Sequence, residues 1–206
     1  MKKLKINPKT FNLALLCAFA CAMVLSFSNF NAVCDDLRQN VLRLHIIANS
    51  NSQTDQELKL KIRDSILAES ETLFSKCENI DSAIISTKAS TEEIENLVNE
   101  KIKKSGFSYN AKAFVEKRYF ETREYDDFTL PAGEYESLVI EIGEAKGENW
   151  WCVIYPSICL PAATDASLSD SVNEISAETA EKKGEFVMRF KAVEIYEDIK
   201  SFFKDK

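Results

Sequence analysis

A chain of 206 residues with 45% hydrophobic and 29% charged side chains is long enough for one domain with a full core, and its composition argues against global disorder. The net charge of −7 is uneven: residues 1–33 hold four lysines and no acid, which leaves 22 basic against 33 acidic residues beyond them. That balance argues against a nucleic-acid binder, which needs a basic footprint to displace counterions from phosphate.

The first segment is a targeting signal. A lysine-rich start, Met1-Lys2-Lys3-Leu4-Lys5, precedes an uncharged run from Phe11 to Phe27 in which only Asn12 and Ser26 are polar. This length suits the apolar region of a signal peptide and is marginal for a spanning helix. Ser26 and Ser28 offer small residues for cleavage after Ser28; the other reading is an uncleaved signal anchor. A lipid-attachment site at Cys34 is disfavoured because Val33 stands where a small residue is needed. Residues beyond about 30 are expected outside the cytoplasm, where disulfides persist. Membrane contact would come from the signal segment if it is kept.

Residues 29–40 read as a polar lead-in. Val41 to Ala48 alternates and then turns apolar, as a strand entering a core does. Asn49-Ser50-Asn51-Ser52 carries turn chemistry, and Thr54-Asp55-Gln56-Glu57 reads as a capping box opening a helix to about Lys76. Its stripes, Leu58/Ile62/Ile66/Leu73 and Leu60/Leu67/Phe74, predict neighbours in more than one layer. A short helix is expected over Asp81–Ala89. A second box, Ser90-Thr91-Glu92-Glu93, opens a helix through Ile102 that stops at Gly106.

From Tyr109 the period changes to two. Strands are expected over about 111–119, 137–142 and 150–155, joined by the Leu130-Pro131-Ala132-Gly133 turn and the Gly143–Asn149 loop. Short sequential connections favour an antiparallel meander. Residues 161–184 read as a polar loop or weak helix, and Met188 to Phe203 as a C-terminal helix, with a strand over 185–193 left open. The expected class is α+β: a single domain whose antiparallel sheet packs with helices. Its segments are a signal peptide or anchor over 1–30, the core over 31–160, and a polar loop and helix over 161–206.

Catalytic chemistry finds little purchase. His45 is the sole histidine, so multi-histidine metal sites are excluded and any His-dependent triad must use it. Phosphate-binding loops, dinucleotide fingerprints and nucleophile elbows are missing from the sequence, so no cofactor is expected. Asp126-Asp127 reads as a solvated turn. The segment Asn149 to Leu160 concentrates both tryptophans and two of the six cysteines. Cys152 and Cys159 either close a short disulfide loop, stabilising by roughly 2–3 kcal/mol, or stand as two buried thiols. Two alkylatable thiols there in the exported protein would exclude the bridge. Trp150 and Trp151 must point to opposite faces of a strand, so one can face a partner unless helices cover both faces.

Three stretches resemble the stage II sporulation protein R family of endospore formers. The pattern Gly-x-Gly-x-Asn-Trp-Trp-Cys-Val-Leu-Phe-Pro-Pro-Leu-Cys-Phe is met by Gly147, Asn149, Trp150, Trp151, Cys152, Val153, Pro156 and Cys159. Leu-Pro-Ala-Gly-x-Tyr is met by Leu130, Pro131, Ala132, Gly133 and Tyr135. A third element is met by Arg43, His45, Ile47, Ala48, Asn49, Ser50, Asp55, Gln56 and Lys59. Ala145, Tyr155, Ser157 and Leu160 depart from the pattern.

The resemblance implies a sporulation signalling protein and not an enzyme. It would cross the forespore membrane into the intermembrane space, secreted or retained there by an anchor. There it would activate a membrane-embedded aspartic protease that processes the precursor of sigma factor E. Its partner-binding candidates are Asn149, Trp150, Trp151, Arg43, His45 and Asn49; alanine at either tryptophan is expected to abolish processing while secretion persists. The alternatives are an exported hydrolase using His45 and a structural envelope protein.

Overall fold

The computed structural model describes residues 8–74, 77–125, 128–156, 168, 171–182 and 187–204. Its elements, in order, are α1 (Pro8–Gln39), β1 (Leu42–Ile47), α2 (Gln53–Phe74), α3 (Ile80–Ala89), α4 (Thr91–Lys104), β2 (Ala111–Phe120), β3 (Arg123–Glu124), β4 (Thr129–Leu130), β5 (Gly133–Ile142), β6 (Asn149–Tyr155), α5 (Glu174–Glu181) and α6 (Val187–Lys204). The α+β class stands as expected.

The antiparallel meander does not. The main sheet is mixed, in the order β2-β5-β1-β6: β1 lies parallel to β5 and antiparallel to β6, and β2 is antiparallel to β5. All six residues of β1 are buried. A strand buried along its whole length is best placed at the centre of a sheet, and β1 takes that place by separating β5 from β6. β3 and β4 form a small separate hairpin.

Register assigns each side chain to a face. Leu42, Leu44 and Ile46 join Leu138, Ile140, Ile142, Cys152 and Ile154 in a core closed by Leu58, Ile62 and Ile66 of α2, Ala83 of α3 and Ile94, Val98 and Ile102 of α4. The opposite face is covered at one end only. There Leu37 of α1, Val41, Phe128, Leu130, Leu168, Val172 and Ala177 and Ala180 of α5 pack on Phe120, Tyr135 and Val153. Among the described residues, this cluster does not extend over the rest of that face.

Capping differs from the expected boxes. Ser52, not Thr54, stands before α2: its Oγ accepts from the Asp55 amide at 3.2 Å and its carbonyl accepts from the Gln56 amide at 3.0 Å. The Ser90 box does not form, because α3 runs almost directly into α4 and Ser90 makes no side-chain cap bond; the formed box is Asn79 with Ser82 at the start of α3. Gly106 does end α4. The Gly106 and Phe107 amides return to the carbonyls of Lys103 and Ile102 with Gly106 at φ +86, the glycine-terminated helix end expected.

Residues 29–39 are helical instead of a lead-in. Phe30, Cys34 and Leu37 are buried on one side, an i, i+4, i+7 stripe hidden between charges. α1 thus has two halves: an apolar, solvent-facing stretch long enough to cross a membrane, then about three turns seated on the domain. Arg38 donates to the Ala132 carbonyl at 2.9 Å, and Asp36 accepts from both the backbone and the side chain of Asn173 at the start of α5. Residues 185–186 lie outside the described set, but from Val187 onward the C-terminal stretch is helix and not strand.

Candidate functional site

The polar side chains on the sheet face opposite the main core centre on β1. Arg43 is fully buried. Its guanidinium lies 4.0 Å from the Phe120 ring centre and 5.0 Å from that of Tyr135, and donates to the Tyr125 hydroxyl at 2.6 Å. Its Nε and Nη1 have no hydrogen-bond partner among the described residues. Aromatic faces attract the cation where carboxylates are lacking.

Two residues on, His45 sits between Asn149 and Arg118. Its Nε2 lies 2.9 Å from Asn149 Oδ1 and its Nδ1 3.3 Å from Arg118 Nη1. A guanidinium only donates, so Nδ1 is the acceptor and the proton resides on Nε2, donated to Asn149. Arg118 also reaches Glu141 at 3.1 Å and pairs with Glu116. Burial holds the His45 pKa below 6.5; the Asn149 bond opposes this, Arg118 and Arg43 lower it further, and Glu141 works the other way. The ring is therefore neutral, with its one lone pair facing a permanent cation. That is a poor general base.

Depressing a histidine pKa has a defined sign. The unfolded chain takes up the proton below 6.5 and the folded chain resists it, so stability should fall as pH drops from above 6.5 towards the folded pKa. Each unit of lowering corresponds to about 1.4 kcal/mol. Urea midpoints at pH 7.5 and 5.5 should show this loss in the native chain and a flatter profile in His45→Gln. An equal slope in both would place the titration elsewhere.

The tryptophans part as strand geometry requires. Trp150 turns into the helical side, half-buried beside the main core, with the Arg63 guanidinium 4.5 Å from its ring. Trp151 turns to the opposite face, 5.8 Å from the His45 ring, with exposed Arg123 4.4 Å over its other side. Phe114, Lys112, Glu116 and Arg118 of β2 share that face by register with Val139 and Glu141. The result is a shallow aromatic and charged surface, half-buried at its centre.

A second cluster holds the loop before β6. Asp55 accepts from Asn49, Ser50 and Tyr109. Burial raises its pKa, but bonds from Ser50, Tyr109, Asn49 and Ser52 outweigh that and keep the carboxyl below its ordinary range. Asn49 Oδ1 in turn accepts from the Glu144 amide at 2.9 Å, Asn51 Oδ1 from the Glu148 amide at 2.7 Å, and Lys59 donates to the Glu148 carbonyl at 3.0 Å. Gly147 donates to the Ala48 carbonyl at 2.9 Å. Asn49 is thus engaged within the fold, where it positions the loop delivering Asn149, Trp150 and Trp151.

The Leu130–Tyr135 stretch plays the matching role at the other end. The Tyr135 hydroxyl donates to the Pro131 carbonyl at 2.6 Å, and Gly133, at φ +147, leaves the space that the Arg38 side chain fills. The three motif stretches therefore meet along β1. Tyr135 flanks Arg43, Asn149 holds His45, and Gly147 packs on Ala48 and Ser50.

The family model described as "Stage II sporulation protein R (spore_II_R)" matches residues 38–165. The chain belongs to the stage II sporulation protein R family. A curated relative, stage II sporulation protein R of Bacillus subtilis (strain 168), is 35% identical over 142 residues, which cover 69% of this chain and 62% of that protein. The chain thus spans less than two thirds of that relative. No solved structure matches.

For a member of the stage II sporulation protein R family, several sequence expectations now have a place. Cys152 is buried and disulfide-bonded; Cys159 lies outside the described residues, as do Asp126 and Asp127. Cys17, Cys21, Cys34 and Cys77 are free. The sequence reading missed Arg118, Arg123, Phe120 and Tyr125. Arg118 and Phe120 are even-numbered positions of β2 and could have been placed beside His45 had the parallel β1–β5 pairing been known; Arg123 and Tyr125, around the small hairpin, carried no signal.

Proposed function

We propose that this sporulation protein is the exported activator of the membrane-embedded aspartic protease that processes the precursor of sigma factor E. The protein would act in the space between forespore and mother cell. The observation that carries the reading is the half of the sheet face where Trp151, Arg123 and Arg118 present an aromatic and charged surface over the buried His45 ring, without an activated nucleophile among the described residues. Trp and Arg are the residues that dominate binding hot spots. The apolar half of α1 supplies the export signal or anchor that the location requires. Asn149 and Trp151 are the contact residues, with His45 and Arg43 shaping the surface beneath them. Trp150 and Asn49 support it from behind. The hydrolase alternative loses ground because Arg118 occupies the only lone pair His45 could use as a base.

Co-expression of the chain with the protease and the sigma-factor precursor in a non-sporulating host tests this. Processing that needs all three proteins supports the reading. Processing unchanged when this chain is left out sinks it.

A further inference from the structure

α6 carries an apolar face that is largely exposed. Phe190 and Val193 turn inward onto Phe30 and Cys34 of α1, with the Phe30 and Phe190 rings 5.1 Å apart. At 3.6 residues per turn, Ile195, Ile199 and Phe203 lie on the opposite side, and they are 60%, 53% and 70% exposed. A helix docked on a soluble domain ordinarily turns polar residues outward. Elsewhere beyond α1, among the described residues, the large apolar residues left exposed are scattered singly: Leu60, Ile85, Tyr119 and Ile175. Scattered exposure needs no explanation, but a continuous stripe does.

The stripe is continuous with a second apolar surface. α6 crosses α1 where the latter's exposed apolar half ends: the Tyr196 ring meets Phe27 edge-on at 5.6 Å, and a groove of about 460 Å³ between the helices is lined by Met23, Val24, Phe27, Ser28, Asn31 and Tyr196. The window of α1 fit to span a membrane has none of its residues buried in the protein. If that half of α1 sits in the bilayer, residues 27–30 mark its exit, and α6 crosses at the level of the headgroups. An amphipathic helix at that depth buries its apolar side in the acyl boundary. α6 also lies beyond residues 38–165, the stretch the family shares.

We propose that α6 is an interfacial helix that lays Ile195, Ile199 and Phe203 into the outer surface of the membrane crossed by α1. The inference rests on the reading of α1 as membrane-embedded. Its consequence is a domain held close against the bilayer at two points instead of swinging on one tether.

The full chain, reconstituted into phosphatidylethanolamine–phosphatidylglycerol vesicles containing a lipid with a photoreactive acyl chain, decides the matter by mass spectrometry of the labelled peptides. Label is expected on residues 11–27 and on the Ile195–Phe203 segment, with Ile85 and Ile175 unlabelled. The triple variant Ile195→Asp, Ile199→Asp, Phe203→Asp should lose at least tenfold of the α6 label and keep that on α1. These side chains point away from the packed face, so the fold is retained. Label on α1 alone overturns the proposal and leaves the anchor standing; label on neither removes the anchor reading itself. Crosslinks between α6 segments of two chains in place of lipid adducts identify a second copy as the occupant and overturn it as well.

Discussion

Trp151→Ala should reduce processing of the sigma-factor precursor at least about 30-fold while leaving the protein folded. A side chain at the centre of a contact is worth about 2 kcal/mol or more, and that corresponds to about 30-fold in affinity. Its contribution to the fold is smaller. Trp151 is half-buried, and its stacking with Arg123 is worth about 0.5–1 kcal/mol. Trp150→Ala should do the reverse. Its indole fills space between β6 and α2, so its removal should cost about 3 kcal/mol in urea unfolding, at the low end for a core tryptophan. Processing should then fall only as far as the folded population does. Measuring both quantities on both variants separates contact from support. If Trp151→Ala processes normally while the well-folded fraction of Trp150→Ala does not, the partner binds the helical side.

Gly147→Ala is expected to be strongly destabilising for a single added methyl. A Cβ there would lie 2.3 Å from the Ser50 carbonyl oxygen and 2.8 Å from the Ala48 Cβ. Neither neighbour is free to give way. The Ser50 carbonyl accepts from Gln56 at 2.8 Å, and the Ala48 carbonyl accepts from Gly147 itself. Overpacking of this kind costs about 3 kcal/mol. Gly106→Ala is the comparison: its φ of +86 strains any side chain, but a Cβ there meets nothing within 4 Å, so about 1 kcal/mol is expected. Denaturant midpoints of the two variants give the answer. Equal losses would mean that the loop before β6 has slack. A larger loss at Gly147 should also lower processing per folded molecule, because the loop sets where β6 begins.

Local chemistry made most of the elements legible and left their arrangement hidden. The stripe Ile94, Val98, Ile102 and the glycine at 106 define α4 from sequence, because both signals lie within a few residues of what they control. The β1–β5 pairing has no such signal. Arg43 and Ser137 are neighbours across 94 positions, and nothing in either stretch says which strand lies between β5 and β6. The same gap concealed the site. His45, Asn149 and Trp151 could be nominated from the motifs, but Arg118 enters only through β2's register. Asn49 is a contact candidate through the family resemblance, yet its side-chain amide is spent on Asp55 and the Glu144 amide. The Thr54 box failed because Ser52 offers the same chemistry two residues earlier, where the chain leaves its turn.

The insertion of β1 between β5 and β6 also orders events in time. A chain crossing a membrane from its N-terminus presents Leu42–Ile47 early, yet one flank of that strand is supplied only by residues 133–142 and the other only by 149–155. Contacts of such long sequence separation form slowly and late. On the proposed export route, the segment that becomes the middle of the sheet would travel as unpaired chain, and the fold would close only once Tyr155 had reached the far side.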